Sequence, residues 1–396
     1  MTIGQPAAAP ACQVCGERQL REVEGFAALP RITSDCRAYP AGGSLHVCLA
    51  CGGVQKIPDS KWLREIGGIY AGYEAYYQSG GDEQIVFDRA TGKPRRRSDV
   101  ILERLVGRGG LASRGRALDV GCGNGATLAA MSATLAGWSF SGYELGEGAL
   151  PRLSRIPRFE KLHTGSLDAI GQCFDLVTLI HALEHFPEPV AALSQLRGLV
   201  GDGQLFIEVC NIDENPFDIL VADHLMHFSP HALELLLERA GFGTVAVATD
   251  WVPKEISLLA RAGRIDPRSA VPGAAGKAAP GEPALARMAS YVAWLRAMVA
   301  RAGQLEREDG PLGIFGTSIA ATWLGSQLGE RVSFFVDEDE SRVGKKHLGR
   351  PIVRPQEVPA GANVYVALSP AIAGMIAARH AGLPCRLVAP PPLRLD

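Results

Sequence analysis

The 396-residue chain has no uninterrupted apolar run of about 18 residues, the length that a membrane-spanning helix requires. Its first ten residues, Met1 to Pro10, have neither a basic cluster nor an apolar stretch, so no secretory leader is expected. Net charge is nearly absent as well. Forty basic residues stand against 42 acidic ones, a formal charge of -2, so no global field draws the chain to nucleic acid or to an anionic membrane. Aromatic residues make up only 7% and form no basic, stacking stripe of the kind that binds RNA. Nine cysteines in a chain this long make no disulfide framework. The expectation is a soluble, cytoplasmic protein whose partner is a small molecule, with no membrane and no nucleic acid.

What is present is ample apolar material, 47% of residues, in a chain too long for one ordinary core. Two or three domains are expected. Four of the cysteines repeat one spacing, Cys12-x-x-Cys15 and Cys48-x-x-Cys51, each pair followed by a glycine, Gly16 or Gly52. Two such knuckles turn four thiolates toward one ion, which predicts a closed and therefore structural zinc site in a module too small to fold on its core alone. Cys36 and His46 are substitute ligands without a partner at knuckle spacing. Cys122, Cys173, Cys210 and Cys385 lie in or beside apolar strands and read as small buried hydrophobes.

The most informative stretch is Ala117-Leu-Asp-Val-Gly-Cys-Gly-Asn-Gly-Ala-Thr127, a buried strand that runs through a glycine turn into a helix. Gly121, Gly123 and Gly125 let a nucleoside approach the backbone, and Asp119 ends the strand. Nineteen residues after Gly125 a second apolar strand, Trp138 to Tyr143, ends in Glu144, whose carboxylate would face ribose hydroxyls. No Lys-Ser or Lys-Thr follows the glycines, which argues against a P-loop. The pattern resembles motif I of class I S-adenosylmethionine (SAM) methyltransferases, and the resemblance implies adenine contacts at Ser166 and Leu167.

The rest of a doubly wound α/β domain follows in order. Strands are expected at Phe159 to Thr164, Phe174 to Ile180 and Gln204 to Cys210, with helices over Ala191 to Val200 and Ser229 to Ala240. Thr244 to Thr249 and Glu255 to Ala260 complete the sheet as an antiparallel pair. His181-Ala-Leu-Glu-His-Phe-Pro-Glu-Pro189 lies at the carboxyl edge where such folds bind ligands; Pro187 and Pro189 rule out a long metalloprotease helix, and Glu184 and His185 read as cofactor-side or helix-capping groups. Arg95 to Arg97 read as the solvated start of a helix running to Val106. Tyr70, Tyr73, Tyr76 and Tyr77 could form a lid or pack between domains. A Pro, Gly and Ala-rich segment, Asp266 to Pro283, has linker composition. Beyond it a helix over Ala284 to Glu308 leads to a second strand-turn-helix at Gly313 to Leu324 and a strand ending in Asp337. Gly316, Thr317 and Ser318 could hold a phosphate there, although the glycine series of a dinucleotide site is missing. The division is then a zinc-binding domain at 10–75, a methyltransferase domain at 95–262, a linker at 263–284 and a Rossmann-like domain at 285–396.

This order of parts resembles the three-domain sugar C-methyltransferases, which act on deoxysugars linked to a nucleoside diphosphate. In that family a segment reading Phe-Asp-x-x-Tyr-His-Glu-His carries a histidine that removes a proton next to the ketone of a 4-keto sugar. The matching segment here is Phe217-Asp-Ile-Leu-Val-Ala-Asp-His224. The resemblance implies His224 as the base, with Asp223 in the glutamate's place orienting or tuning it. Val221 and Ala222 replace the tyrosine and first histidine. His227, three residues on, is the second choice and His181 the third; His181 also stands beside the cofactor positions. SAM and a structural Zn2+ are the implied cofactors, and a sugar or nucleotide-linked sugar is the implied substrate. An O-methyltransferase of another small molecule, a zinc-ribbon RNA methyltransferase and a non-catalytic SAM-binding scaffold are the alternatives.

Overall fold

The computed structural model describes residues 10–73, 83, 85–87, 94–263, 281–305 and 310–395. Tyr76 and Tyr77, and most of the linker segment, lie outside these residues. The central unit is a seven-stranded sheet in the order Phe159–His163, Trp138–Tyr143, Gly115–Val120, Leu176–Ile180, Gln204–Cys210, Glu255–Ala262, Phe242–Ala248. The first five strands are parallel, and Glu255–Ala262 runs antiparallel to both neighbours. Parallel strands buried on both faces require continuous apolar runs, as in Leu176-Val-Thr-Leu179, every residue of which is buried. Strand order reverses between Gly115–Val120 and Leu176–Ile180, the switch point outside which doubly wound folds bind their ligands. Helices Arg97–Gly107, Ala126–Thr134, Pro189–Val200 and Pro230–Arg239 cover the two faces. This is the class I methyltransferase architecture.

The second large sheet lies toward the C-terminus. Its order is Lys346–His347, Arg350–Val353, Val332–Val336, Leu312–Phe315, Asn363–Val366, Arg386–Val388, and it is parallel except for the first pair. Helix Gly281–Leu305, which begins a few residues before the expected start at Ala284, buries Met288, Tyr291, Leu295 and Met298 along one side. That side closes a core shared with Phe26, Ile32, Phe217 and Leu220. Further bonds tie the parts together: Tyr291 Oη donates to the Ile212 carbonyl at 2.9 Å, and Trp323 Nε1 to the Pro30 carbonyl at 2.8 Å.

The N-terminal module is a small sheet of Leu20–Glu22, His46–Cys48 and Val54–Gln55, and its fourth strand comes from elsewhere. Met226–His227 pairs antiparallel with Val54–Gln55, Met226 opposite Gln55 and His227 opposite Val54. His227, the second-choice base, therefore sits in an edge strand of the cysteine-bearing module, three residues after His224. No helix among the described residues is long and apolar enough to cross a membrane.

Candidate functional site

Two arrangements meet at the carboxyl end of the central sheet. The first is the glycine turn. Gly125 sits at φ 80, and Gly121 at φ 76 faces Ala182 so closely that a Cβ would lie 2.8 Å from that residue's own. Only glycine meets both demands. Glu144 follows the second strand and its Oε1 accepts the Gly123 N–H at 2.6 Å, so the acid and the turn are locked to one another. Asp119 is buried, and its Oδ1 accepts from Thr178 Oγ1 at 2.6 Å; burial pushes its carboxyl up to about 7. Ser166 accepts the Asp168 N–H at the start of a short turn, and Leu167 is buried. A cradle without side chains, closed by a carboxylate, fits the ribose of SAM. Glu144→Ala is expected to weaken SAM binding about ten- to a hundredfold, or ~1.5–3 kcal/mol, in a calorimetric titration. Wild-type affinity in that variant would contradict the assignment.

The second arrangement is a buried chain of titratable groups. Asp218 lies in a short turn, Asp218–Leu220, and both of its oxygens are taken: Oδ1 by His224 Nδ1 at 2.9 Å and Oδ2 by His227 Nδ1 at 2.7 Å. Burial pushes the Asp218 carboxyl up, but the two imidazoles outweigh it and hold the group well below the usual carboxylate range. An ionised carboxylate only accepts, so both histidines carry their proton on Nδ1. His224 is thereby left with a lone pair on Nε2. Burial lowers the pKa of His224, and Asp218 more than reverses this, leaving it raised. Its ring meets that of His185 edge-on, with centroids 4.7 Å apart.

Lys56, which the sequence did not single out, closes the chain from the N-terminal module. It is buried, and its Nζ donates to the carbonyls of Val221 and His224, the latter at 2.7 Å, and lies 3.3 Å from His227 Nε2. Burial pulls its pKa down to about 7 and that of His227 to about 4. Both ring nitrogens of His227 are engaged, so the second-choice base is a positioning group instead. Lys56→Met would orphan carbonyl acceptors that have no access to water, each costing about 1–3 kcal/mol. A lowered thermal midpoint is the expected result, with turnover falling further than SAM affinity; unchanged melting and turnover would remove Lys56 from the site.

Asp223 adds its charge to the rise of the His224 pKa, behind Asp218 and Glu184, but it does not orient the ring. Its carboxylate accepts from the Ser34 N–H at 2.9 Å and from Ser34 Oγ, and faces His185 at 3.4 Å, so it ties the module to the loop while Asp218 holds His224. Two further bonds fasten the same loop: Ala222 N donates to the Ile32 carbonyl and Trp62 Nε1 to the Ala222 carbonyl. Glu184 and His185 cap no helix. They lie in the turn Leu183–His185, and His185 Nδ1 is 3.1 Å from both Tyr70 Oη and the Asp223 carbonyl. Nor do Asp223 and His224 cap the helix at Pro230, whose N-cap is Ser229. His181 ends its strand at φ 50, and burial pulls its pKa down to about 4. Tyr70 thus reaches the histidine cluster directly. Arg97 is buried and not solvated, and Cys173 is exposed where a buried position was expected.

At the far end of the module the Sγ atoms of Cys12 and Cys51 are 3.6 Å apart, as are those of Cys15 and Cys48, and all four lie within 4.8 Å of one another. A tetrahedron of thiolates about 2.3 Å from a zinc ion has edges of roughly 3.8 Å. The spacing fits that ion. Knuckle turns are formed by Gly16 N to Cys12 O and Gly52 N to Cys48 O. In the C-terminal sheet the expected phosphate-binding hydroxyl of Thr317 is already used: it donates to Asp337 at 2.6 Å and accepts from Arg342 at 2.9 Å.

Fold and glycine cradle together define a SAM-dependent methyltransferase domain. Residues 92–247 match the family model described as a methyltransferase domain. The chain is 30% identical over 141 residues to the ubiquinone biosynthesis O-methyltransferase of Pseudomonas aeruginosa (strain LESB58), a match covering 31% of this chain and 56% of that protein. It is 32% identical over 133 residues to the enzyme of the same name from Aromatoleum aromaticum, covering 31% and 55%. The chain thus spans about half the length of the curated relatives it matches. Among solved structures it is similar to magnesium protoporphyrin IX methyltransferase from Synechocystis PCC 6803 with bound SAM, at 20% identity and a TM-score of 0.37, covering 52% of this chain and 98% of that one.

Proposed function

We propose that the chain transfers the methyl group of SAM to a sugar or nucleotide-linked sugar, at the carbon next to a ketone, with His224 as the base. The observation that carries this is the Asp218–His224 pair, which fixes the imidazole tautomer and leaves Nε2 free to take a proton. SAM supplies an electrophilic methyl when bound, so the protein must mainly align the acceptor, exclude water and remove one proton. The glycine turn and Glu144 hold the ribose; Asp218 orients His224; His227 and Lys56 brace Asp218 from behind; Ser34 and Asp223 fix the loop. The closed four-cysteine cluster is read as a structural zinc site.

A second reading is O-methylation of a small molecule, favoured by the names of the matching relatives. The same base would then deprotonate a hydroxyl. Labelled-methyl transfer to a panel of 4-keto and hydroxy nucleotide sugars tests both. C-methylation predicts, in addition, that the protein without SAM exchanges the proton next to the ketone for solvent deuterium and that His224→Ala stops this exchange. Methyl transfer only to oxygen, with no exchange, selects the second reading.

A further inference from the structure

Among the described residues, every buried carboxylate oxygen without a hydrogen-bond partner belongs to Glu184, Glu208 or Glu255. The carboxylates of Glu184 and Glu255 face His181, and Glu208 meets it through its backbone carbonyl. The His181 Nδ1 is 3.3 Å from Glu184 Oε1 and its Nε2 3.5 Å from Glu255 Oε2, while its backbone N–H donates to the Glu208 carbonyl. Cys210 ends the adjacent strand opposite Glu255. One donor atom each from His181, Glu184 and Cys210 lies within 4.8 Å of the other two. Glu184 is only 2% exposed, and its Oε2 has no partner. The Asp218, His224 and His227 donors are as closely spaced, but there both carboxylate oxygens already accept from imidazole N–H groups. One cluster is satisfied by its own protons, and the other is not.

We propose that His181, Glu184 and Cys210 form a second metal site, separate from the four-cysteine cluster, for a borderline divalent cation of the Zn2+ type. Imidazole and thiolate select such an ion over Mg2+ or Ca2+. The carboxylate of Glu255, 3.5 Å from His181 Nε2, supplies an acceptor for the second ring nitrogen of the ligating histidine. Three protein donors leave a tetrahedral ion one open position for water or a substrate oxygen, unlike the closed four-thiolate cluster. The site stands at the carboxyl ends of Leu176–Ile180 and Gln204–Cys210, the edge where ligands enter this fold. The metal site rests on its donors alone; its use in holding a keto or hydroxyl oxygen of the acceptor rests on the methyl transfer proposed above.

Binding to Cys210 displaces the thiol proton, which passes to solvent or buffer. Equilibrium dialysis of the full-length protein against Zn2+, and against Co2+ to report thiolate ligation by absorption, tests the site. Two ions per chain are expected, the second with a single-thiolate spectrum. Glu184→Gln and Cys210→Ala should each reduce the count from two to one while keeping the four-thiolate spectrum and the circular dichroism of the folded protein. One ion per wild-type chain would overturn the proposal whatever the variants do, and so would two ions in both folded variants. Because the readout is metal content, its failure is distinct from failure of the methyl-transfer reading.

Discussion

Replacing His224 with alanine is expected to lower kcat by about 10²- to 10⁴-fold, the range for deleting a general base, while the SAM dissociation constant barely changes. The reason lies in the tautomer. Asp218 accepts a hydrogen bond from the Nδ1–H of His224 and so keeps the lone pair on Nε2, on the side away from Asp218. The pH profile carries a second signature. A base must be neutral to act, and Asp218 raises the pKa of His224, so kcat/KM should climb with pH through a midpoint above the ordinary histidine value of about 6.5. Asp218→Asn removes the charge that raises it. The acid limb should then move to lower pH as the maximal rate falls, because an amide can stabilise the wrong tautomer. A folded His224→Ala protein with wild-type turnover on its true acceptor would remove His224 as the base.

Emptying the four-cysteine cluster should be as damaging to turnover, although it holds no reacting group. Structural zinc in small modules contributes apparent binding energies of about 10–16 kcal/mol, and that energy is folding energy. Here the module's last strand pairs with Met226–His227, and Lys56, Ser34, Ile32 and Trp62 bond directly to the loop from Val221 to His224. Unfolding the module therefore releases His224, the proposed base. Chelation or Cys48→Ser is expected to cut methyl transfer by more than about 10²-fold, comparable to loss of the base itself. SAM affinity should fall much less, because Gly121, Gly125 and Glu144 belong to the central sheet and its turns. Paired measurements of turnover and of SAM binding by calorimetry check this; a metal-free module with undiminished turnover would separate the two.

Much of the fold was legible in the sequence because its signals are local. A glycine turn between an apolar strand and a helix, an acid after the next strand, paired cysteine knuckles and a Ser-Pro helix start each depend on residues close in the chain. The strands of the central sheet fall within a few residues of their expected places for that reason. His224 was singled out through a motif, and the groups that hold it were not. Asp218 lay inside the quoted segment, yet nothing local tells that its two oxygens would bridge His224 and His227 while Asp223, next to the base, turns away to Ser34.

Lys56 shows the limit most clearly: it is 165 residues from Val221 and meets it only because the N-terminal module adds its sheet to the loop. Arg97 was read as solvated from its two arginine neighbours, and the fold buried it. The sequence by itself determined the doubly wound domain, the glycine turn with its acidic partner and the paired cysteine knuckles, since each follows from backbone preference and short spacing. Which carboxylate holds His224, which module braces it, and that Glu184 and Glu255 face His181 were decided only by the tertiary structure, because buried charges are paired by proximity in space and not by order in the chain.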